Sequence, residues 1–171
     1  MKSFLSGCFL TAAVGLLLGV GDVDDVKLRY VDEKYNFSIE PPVFDQGIRA
    51  GNEEISQVVT FFDKPDLGFS PNLGIQVQPP MNLEVFDELT RAQLTGFGAN
   101  NLKLEKKKSG RNDAIFYEYS AKLQGFDLRF WQLAIFTPDH TYLLTATVRE
   151  DRVDKYRPEM MEAIESFRLD N

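Results

Sequence analysis

The chain has 171 residues, of which 43% are hydrophobic and 26% are charged, and these values exclude disordered, collagen-like and multi-pass membrane proteins. Its net charge of −7 argues against nucleic acid as a partner. A single histidine and a single cysteine are too few for a zinc site or for most nucleophilic catalysts, so we expect no metal, no cofactor and no catalytic residue.

The N-terminal segment has the order of a secretory signal peptide. The basic start Met1-Lys2-Ser3, an uncharged apolar run to residue 20 and the small residue Gly21 predict a signal peptide over residues 1–21, cleaved after Gly21. The run is also near the short end for a membrane-spanning helix, so an uncleaved anchor that associates the protein with the membrane is the alternative. Both interpretations predict an exported protein, periplasmic or extracellular.

Cys8 lies in the run Leu5-Ser6-Gly7-Cys8, which resembles the lipobox of bacterial lipoproteins. In a lipobox the apolar run precedes the cysteine, whereas here most of the run follows it. Lipidation at Cys8 is therefore the less favoured interpretation. Residues 22–33 are predicted to be a solvated acidic leader. Residues 34–171 are predicted to be one domain, which is large enough to bury a core of its own.

Short strands are predicted in the first part of this domain. Residues 35–39 alternate apolar and polar side chains and stop at Pro41-Pro42, and residues 43–48 are a candidate for a further short strand. Residues 55–62 are rich in β-branched and aromatic side chains. Residues 72–78 alternate strictly, which is typical of a strand with one polar face.

The period becomes helical after Pro80. Asn82 is suited to cap the start of this helix, and Gly96 or Gly98 is suited to end it. We expect the face that carries most apolar side chains to be the buried one. These side chains are Val85, Phe86, Leu89, Ala92 and Phe97.

Four strands and a second helix complete the chain. The strands are predicted over residues 102–108, 114–123, 128–136 and 142–148, and the run 128–136 is apolar on both faces, which is typical of a central strand covered on two sides. The second helix is predicted to start near Pro158. Its buried stripe is predicted to consist of Met160, Met161, Ile164 and Phe167.

The resulting order is β-β-β-α-β-β-β-β-α, with strands joined mainly by hairpins. Hairpins favour antiparallel pairing. Two helices and a central strand that is apolar on both faces predict an α+β fold, a three-layer α/β/α sandwich around a largely antiparallel sheet of about six or seven strands.

Four features of the sequence match the structural positions of a known fold. They are Tyr35-Asn36-Phe37-Ser38-Ile39 with a proline two residues later, a helix beginning near Leu83, the hairpin from Trp131 to Val148, and the closing Ile164-Glu165-Ser166-Phe167. On these features the chain resembles the PsbP/Mog-type fold superfamily, which includes PsbP-like and DcrB-like exported proteins. The resemblance covers residues 30–169 and implies a non-enzymatic protein that binds or assembles with others.

A basic cluster stands out on this acidic protein. It consists of Lys103, Lys106, Lys107, Lys108 and Arg111. An edge strand that uses lysine to prevent edge-to-edge pairing accounts for it without further function. The alternative is a docking surface for an acidic partner or for anionic lipid headgroups.

The functional expectation is an exported, non-catalytic protein-binding or assembly module of the cell envelope. Its partner would be another envelope protein, and we expect the chain itself to be a monomer. The alternative is a small-molecule or lipid-binding module with a pocket between a helix and an aromatic sheet face. The aromatic residues predicted to line that pocket are Phe116, Phe130, Trp131 and Phe136.

Overall fold

The computed structural model describes residues 28–52, 54 and 56–170 of the chain. The predicted signal peptide over residues 1–21, with Cys8 inside it, lies outside the described residues. The first six residues of the predicted acidic leader, 22–27, also lie outside them.

Ten strands and two α-helices make up the described part of the chain. A 3-10 turn, Glu150–Arg152, leads directly into the second helix. In chain order the elements are β1 (Tyr30–Asp32), β2 (Phe37–Ile39), β3 (Gly47–Asn52), β4 (Gln57–Phe62), β5 (Asn72–Gln78), α1 (Leu83–Gly96), β6 (Asn100–Ser109), β7 (Asn112–Leu123), β8 (Phe126–Phe136), β9 (Thr141–Arg149), α2 (Val153–Ser166) and β10 (Arg168–Leu169).

Seven of the strands form one antiparallel sheet in the order β3-β4-β5-β9-β8-β7-β6. The other three form a small antiparallel sheet, β1-β2-β10. Helix α1 packs on one face of the large sheet, and α2 packs with β2 on the other face. The fold is therefore α+β, with the three-layer sandwich that the sequence predicts.

Strand β8 carries side chains into both hydrophobic cores. Trp131, Leu133 and Ile135 belong to the core on the α2 face, whereas Phe130 and Ala134 belong to the core on the α1 face. The strand pairs with β9 on one side and with β7 on the other. Its predicted place as an inner strand covered on both faces is confirmed.

Helix α1 has the predicted start but a different buried face. The Asn82 side chain accepts hydrogen bonds from the backbone N–H groups of Glu84 and Val85, so it is the N-cap. The buried residues of the helix are Phe86, Thr90 and Leu94, which lie four positions apart.

The predicted face was wrong because its members other than Phe86 are exposed and not buried. Val85, Leu89, Ala92 and Phe97 are exposed. The helix turns the Phe86 side inward, since the Phe86 ring packs edge-on against Phe136 with centroids 5.3 Å apart. An apolar strip is therefore left on the solvent side of α1.

Helix α2 begins at Val153 and not near Pro158, which lies inside it. A proline within a helix removes one backbone hydrogen bond. Burial offsets this loss, because Tyr156, Met160 and Ile164 are almost fully buried against the sheet.

Three short strands also differ from the prediction. Strand β3 starts at Gly47, four residues later than the start of the candidate strand at 43–48. Strand β1 falls within the segment predicted to be an acidic leader, and β10 follows the last helix. The small sheet brings β1 and β10 to either side of β2, which closes the α2 face of the sandwich.

Candidate functional site

A cavity of about 250 Å³ lies between α1 and the large sheet. The sheet supplies its floor, from β7, β8 and β9, through Tyr119, Ala121, Phe130, Gln132 and Leu143. The helix supplies its roof through Phe86, Leu89, Thr90, Gln93 and Leu94. Side chains at the ends of these elements complete the lining, namely Gln78, Met81, Phe97 and Leu123.

The mouth of the cavity is apolar. Leu89 is 51% exposed, Phe97 is 64% exposed and Leu123 is 38% exposed, and all three also line the cavity. An apolar group that enters between them would remove both its own surface and theirs from water. The exposed strip on α1 is thus continuous with an interior space.

Two polar groups on the floor of the cavity lack partners among the described residues. The Gln132 Oε1 atom is buried and accepts no hydrogen bond from the described residues. The Tyr119 hydroxyl makes no hydrogen bond within the same part of the chain, and burial raises the pKa of Tyr119 to about 12. The Tyr119 ring stacks on Phe130 with centroids 4.8 Å apart, which fixes its plane.

The lining is also uncharged. The described residues around this cavity include no Asp, Glu, Lys, Arg or His. Tyr119 is protonated at neutral pH, as an ordinary tyrosine is, and burial raises its pKa further. A charged group would therefore lose its hydration here without gaining a counter-ion.

Other concavities lie at turns and strand ends and are lined by charged side chains. The one around His140 measures about 550 Å³ and includes Lys34, Arg111 and Asp139. Its walls come mostly from surface turns, and His140 itself sits in the β8–β9 turn, where its backbone N–H donates to the Thr137 hydroxyl. This concavity has no apolar interior comparable with the space beneath α1.

The four aromatic residues predicted to form a ligand pocket do not lie together. Phe130 lines the cavity beneath α1, and Phe136 packs against Phe86 on the same face. Phe116 and Trp131 belong to the core on the α2 face. Because neighbouring residues of a strand point to opposite faces, Phe130 and Trp131 cannot share one pocket.

The basic cluster lies along β6, which is an edge strand of the large sheet, and in the turn that follows. Lys108 pairs with Asp113 at 2.6 Å and Lys103 approaches Glu118 at 3.8 Å, each opposite its partner on β7. Lys107 lies 5.0 Å above the Phe116 ring. Three of the five residues thus have partners within the chain, and all five lie on the edge strand or in the turn after it.

The opposite face of the sheet contains a buried carboxylate. Glu118 accepts hydrogen bonds from Arg129 at 2.6 Å and from Arg157 at 3.0 Å, and Arg129 also donates to Glu150. Burial alone would raise the pKa of Glu118, but the hydrogen bonds and charges of Arg157 and Arg129 outweigh burial and lower it. This face satisfies its charges internally.

Within the described ranges, no group of three or more His, Cys, Asp or Glu side chains is placed to hold a metal ion. No helix in these ranges is long and apolar enough to cross a membrane.

No family model and no curated protein matches the sequence. Several solved structures do match it. CyanoP, the cyanobacterial PsbP of Synechocystis sp. PCC 6803, aligns with 91% of this chain and 98% of its own length, with a TM-score of 0.64 and 16% identity. The fold is PsbP-like.

Two further proteins share this PsbP-like fold. LpqN, which is involved in cell envelope biogenesis in Mycobacterium tuberculosis, aligns over 87% of this chain and 88% of its own, with a TM-score of 0.57 and 10% identity. A protein of unknown function from Pseudomonas aeruginosa aligns over 81% of this chain and 94% of its own, with a TM-score of 0.53 and 16% identity. At these identities the likeness extends to the fold alone.

Sequence reasoning missed Gln132 and Tyr119 as members of the site. Gln132 is the one neutral polar side chain in the apolar run of β8, and this exception was the available signal. On a PsbP-like sheet covered on both faces, a glutamine in an inner strand must point into one of the two layers.

Proposed function

We propose that the chain is an exported, non-catalytic binding module of the cell envelope, and that it binds an apolar group in the cavity beneath α1. The N-terminal pattern of residues 1–21 supports export. The fold shared with LpqN, a protein of envelope biogenesis, supports the envelope as its place of action.

The observation that carries the proposal is the uncharged cavity between α1 and the sheet, which opens to solvent through an apolar mouth at Leu89 and Phe97. Binding sites for small molecules combine apolar walls with a few polar groups that orient the ligand. Here the walls include Phe86, Leu94 and Phe130, and the polar groups on the sheet side are Gln132 and Tyr119. Among the described residues that line the cavity, the hydroxyls of Thr90 and Tyr119 have no carboxylate, imidazole, amine or thiol beside them in the lining to activate them.

A direct test is to fill the cavity from its floor. Ala121 is buried and lines the cavity, so Ala121→Phe will place a ring in the space that a ligand would use. We expect the full chain to increase the fluorescence of the neutral dye Nile red, and the Ala121→Phe variant to lose most of this response.

The matched control is Ala50→Phe, which adds the same ring on exposed β3 at the far edge of the sheet. This variant should retain the response of the unmodified chain. Far-UV circular dichroism will establish that both variants fold. An equal dye response in folded Ala121→Phe would refute the cavity as the binding site.

A second candidate is docking of an acidic protein partner on the basic cluster. Lys106 and Arg111 are exposed and have no ion pair with any described residue, so their charges are available to a partner. Capture of one dominant envelope protein by the full chain, and its loss when Lys106, Lys107 and Lys108 are changed to Glu, would support this candidate. Unchanged capture would leave edge protection as the role of the cluster.

A further inference from the structure

The Gln132 carboxamide occupies an unusual place in the sheet. On β8 it lies opposite Tyr117 of β7 and Thr145 of β9, beneath α1. Its Oε1 atom is buried without a hydrogen-bond donor among the described residues. Buried polar atoms in folded proteins nearly always have a partner, so this atom calls for one.

The Tyr117 hydroxyl, on the residue opposite Gln132, does not supply the missing proton. The Tyr117 hydroxyl donates its single proton to Asp87 Oδ1 at 3.0 Å, and Arg91 donates to the same carboxylate oxygen at 2.8 Å. A tyrosine hydroxyl has one proton to give. The donor for Gln132 must therefore come from outside this network.

The two unpartnered buried atoms differ in what surrounds them, and only Gln132 is within reach of a bound molecule. Trp131 Nε1, the other unpartnered buried atom of the described residues, lies on a side chain enclosed in the packed core of the α2 face. Gln132 instead lines the cavity, together with Tyr119. A group inside the cavity can reach the carboxamide, and both side chains can donate and accept hydrogen bonds.

Charge and size narrow the chemistry of that group. The uncharged lining disfavours carboxylates, phosphates and ammonium groups, because each would be desolvated without a counter-ion. An apolar cavity of about 150 Å³ is known to accept benzene. The present cavity, of about 250 Å³, has room for a larger ring or a medium-length chain.

We infer that the ligand is a neutral amphiphile, an apolar chain or ring with one uncharged hydroxyl head that exchanges hydrogen bonds with Gln132 and Tyr119. This inference rests on the proposed function and specifies its ligand class. The apolar part fills the space between Phe86, Leu94 and Phe130, and any longer tail leaves through the mouth at Leu89 and Phe97.

The test compares ligands that share one chain and differ in the head. Titration calorimetry on the full chain at pH 8 will use 1-octanol, octanoate and octylammonium. We expect 1-octanol to bind at least about tenfold more tightly than either charged compound. Equal binding of octanoate or octylammonium would overturn the inference and leave the cavity as a general apolar site.

A variant tests the role of the carboxamide. Gln132→Leu keeps the approximate size of the side chain and removes both hydrogen-bonding groups, so the affinity for 1-octanol should fall about tenfold, the effect of one good hydrogen bond. Gln46→Leu, the same exchange at an exposed position outside the cavity, should leave the affinity unchanged. An unchanged affinity in Gln132→Leu would mean that water alone serves this atom, and would overturn the inference.

The experiments distinguish an error in the proposed function from an error in the ligand class. If neither 1-octanol nor Nile red binds, and Ala121→Phe behaves like the unmodified chain, the proposed function itself is wrong. If Nile red binds and is lost in Ala121→Phe, but 1-octanol and octanoate bind alike, only the ligand class is wrong.

Discussion

The two faces of the large sheet solve the burial of polar groups differently. On the α2 face, the carboxylate of Glu118 is enclosed and meets two arginines, and the aliphatic and aromatic side chains around Trp131 leave it fully buried. On the α1 face, Gln132 lines a cavity without a partner, and apolar side chains of the covering helix face solvent. The buried charges of the α2 face are paired, and its unpartnered Trp131 Nε1 is enclosed in packed core, whereas the unpartnered atom of the α1 face borders a cavity that a ligand can enter.

The largest expected effect is the loss of stability when a buried side chain of each helix is truncated to alanine. Ile164 of α2 is 1% exposed and Leu94 of α1 is 6% exposed. Leu or Ile to Ala in a core costs about 2–5 kcal/mol, more where the site cannot relax. We expect Ile164→Ala to fall in the upper half of this range and Leu94→Ala in the lower half, because Leu94 already borders a cavity. Urea unfolding will measure the free energy of unfolding of both variants. A larger loss in Leu94→Ala than in Ile164→Ala would contradict the proposed difference in packing between the two faces.

Removal of the buried carboxylate should have the next largest effect. Glu118→Gln leaves Arg157 without its partner and weakens the hydrogen bond of Arg129. Hydrogen bonds that involve charged groups contribute about 1.5–3 kcal/mol each, so we expect a loss of that size at pH 7. Lys103→Gln is the matched control, since Lys103 is exposed and 3.8 Å from the same carboxylate, and it should change stability by less than about 0.5 kcal/mol.

The same carboxylate predicts a dependence on pH. The pKa of Glu118 is lowered in the folded protein, so the unfolded chain binds its proton first as the pH falls. Its contribution is complete above its unfolded pKa of about 4.3 and is lost as the pH falls through the lower folded value. Unfolding at pH 7 and at about pH 3.5 should therefore show a smaller acid-induced loss in Glu118→Gln than in the unmodified chain. Parallel losses would show that Glu118 is not one of the responsible groups.

On the α1 face we expect a substitution to raise the stability of the protein and not to lower it. Gln132→Leu removes a buried acceptor that has no partner, and such removal is neutral or stabilising. We expect a gain of about 1 kcal/mol in the absence of ligand. A clear loss of stability would mean that the carboxamide has a partner within the protein. The proposed difference between the two faces would then be wrong.

The smallest effect on stability is expected at the edge strand. Changing Lys106, Lys107 and Lys108 to Thr removes exposed charges, and exposed ion pairs contribute about 0–1 kcal/mol. The melting temperature should hardly change, whereas self-association should increase with concentration because the edge of β6 loses its protection. Sedimentation that is independent of concentration would contradict that role.

Much of the architecture could be predicted from alternation and capping. The run around Leu128 to Phe136 identified an inner strand because both of its faces are apolar, and Asn82 marked a helix start because its side chain can accept backbone N–H groups. Strands β1 and β10 escaped prediction because three and two residues carry no period.

The site was harder to predict because α1 has apolar side chains on two sides. The buried stripe of Phe86, Thr90 and Leu94 includes a polar residue, so hydrophobicity alone favoured the other face. The grouping of Phe130 with Trp131 ignored the two-residue period of a strand, which the sequence itself contains. The cavity depends on how the helix sits over the sheet, and no local pattern encodes that distance.

Trp131 is the one tryptophan of the chain, and it lies on the α2 face with the Arg157 guanidinium 5.5 Å from its ring. Its fluorescence emission therefore reports on the packing of the α2 face only. Loss of packing around α2 will move the emission to longer wavelength, whereas 1-octanol in the cavity does not contact the indole, because Trp131 points to the opposite face of β8. The emission wavelength of Trp131 can thus distinguish unfolding of the protein from binding of a ligand in its cavity.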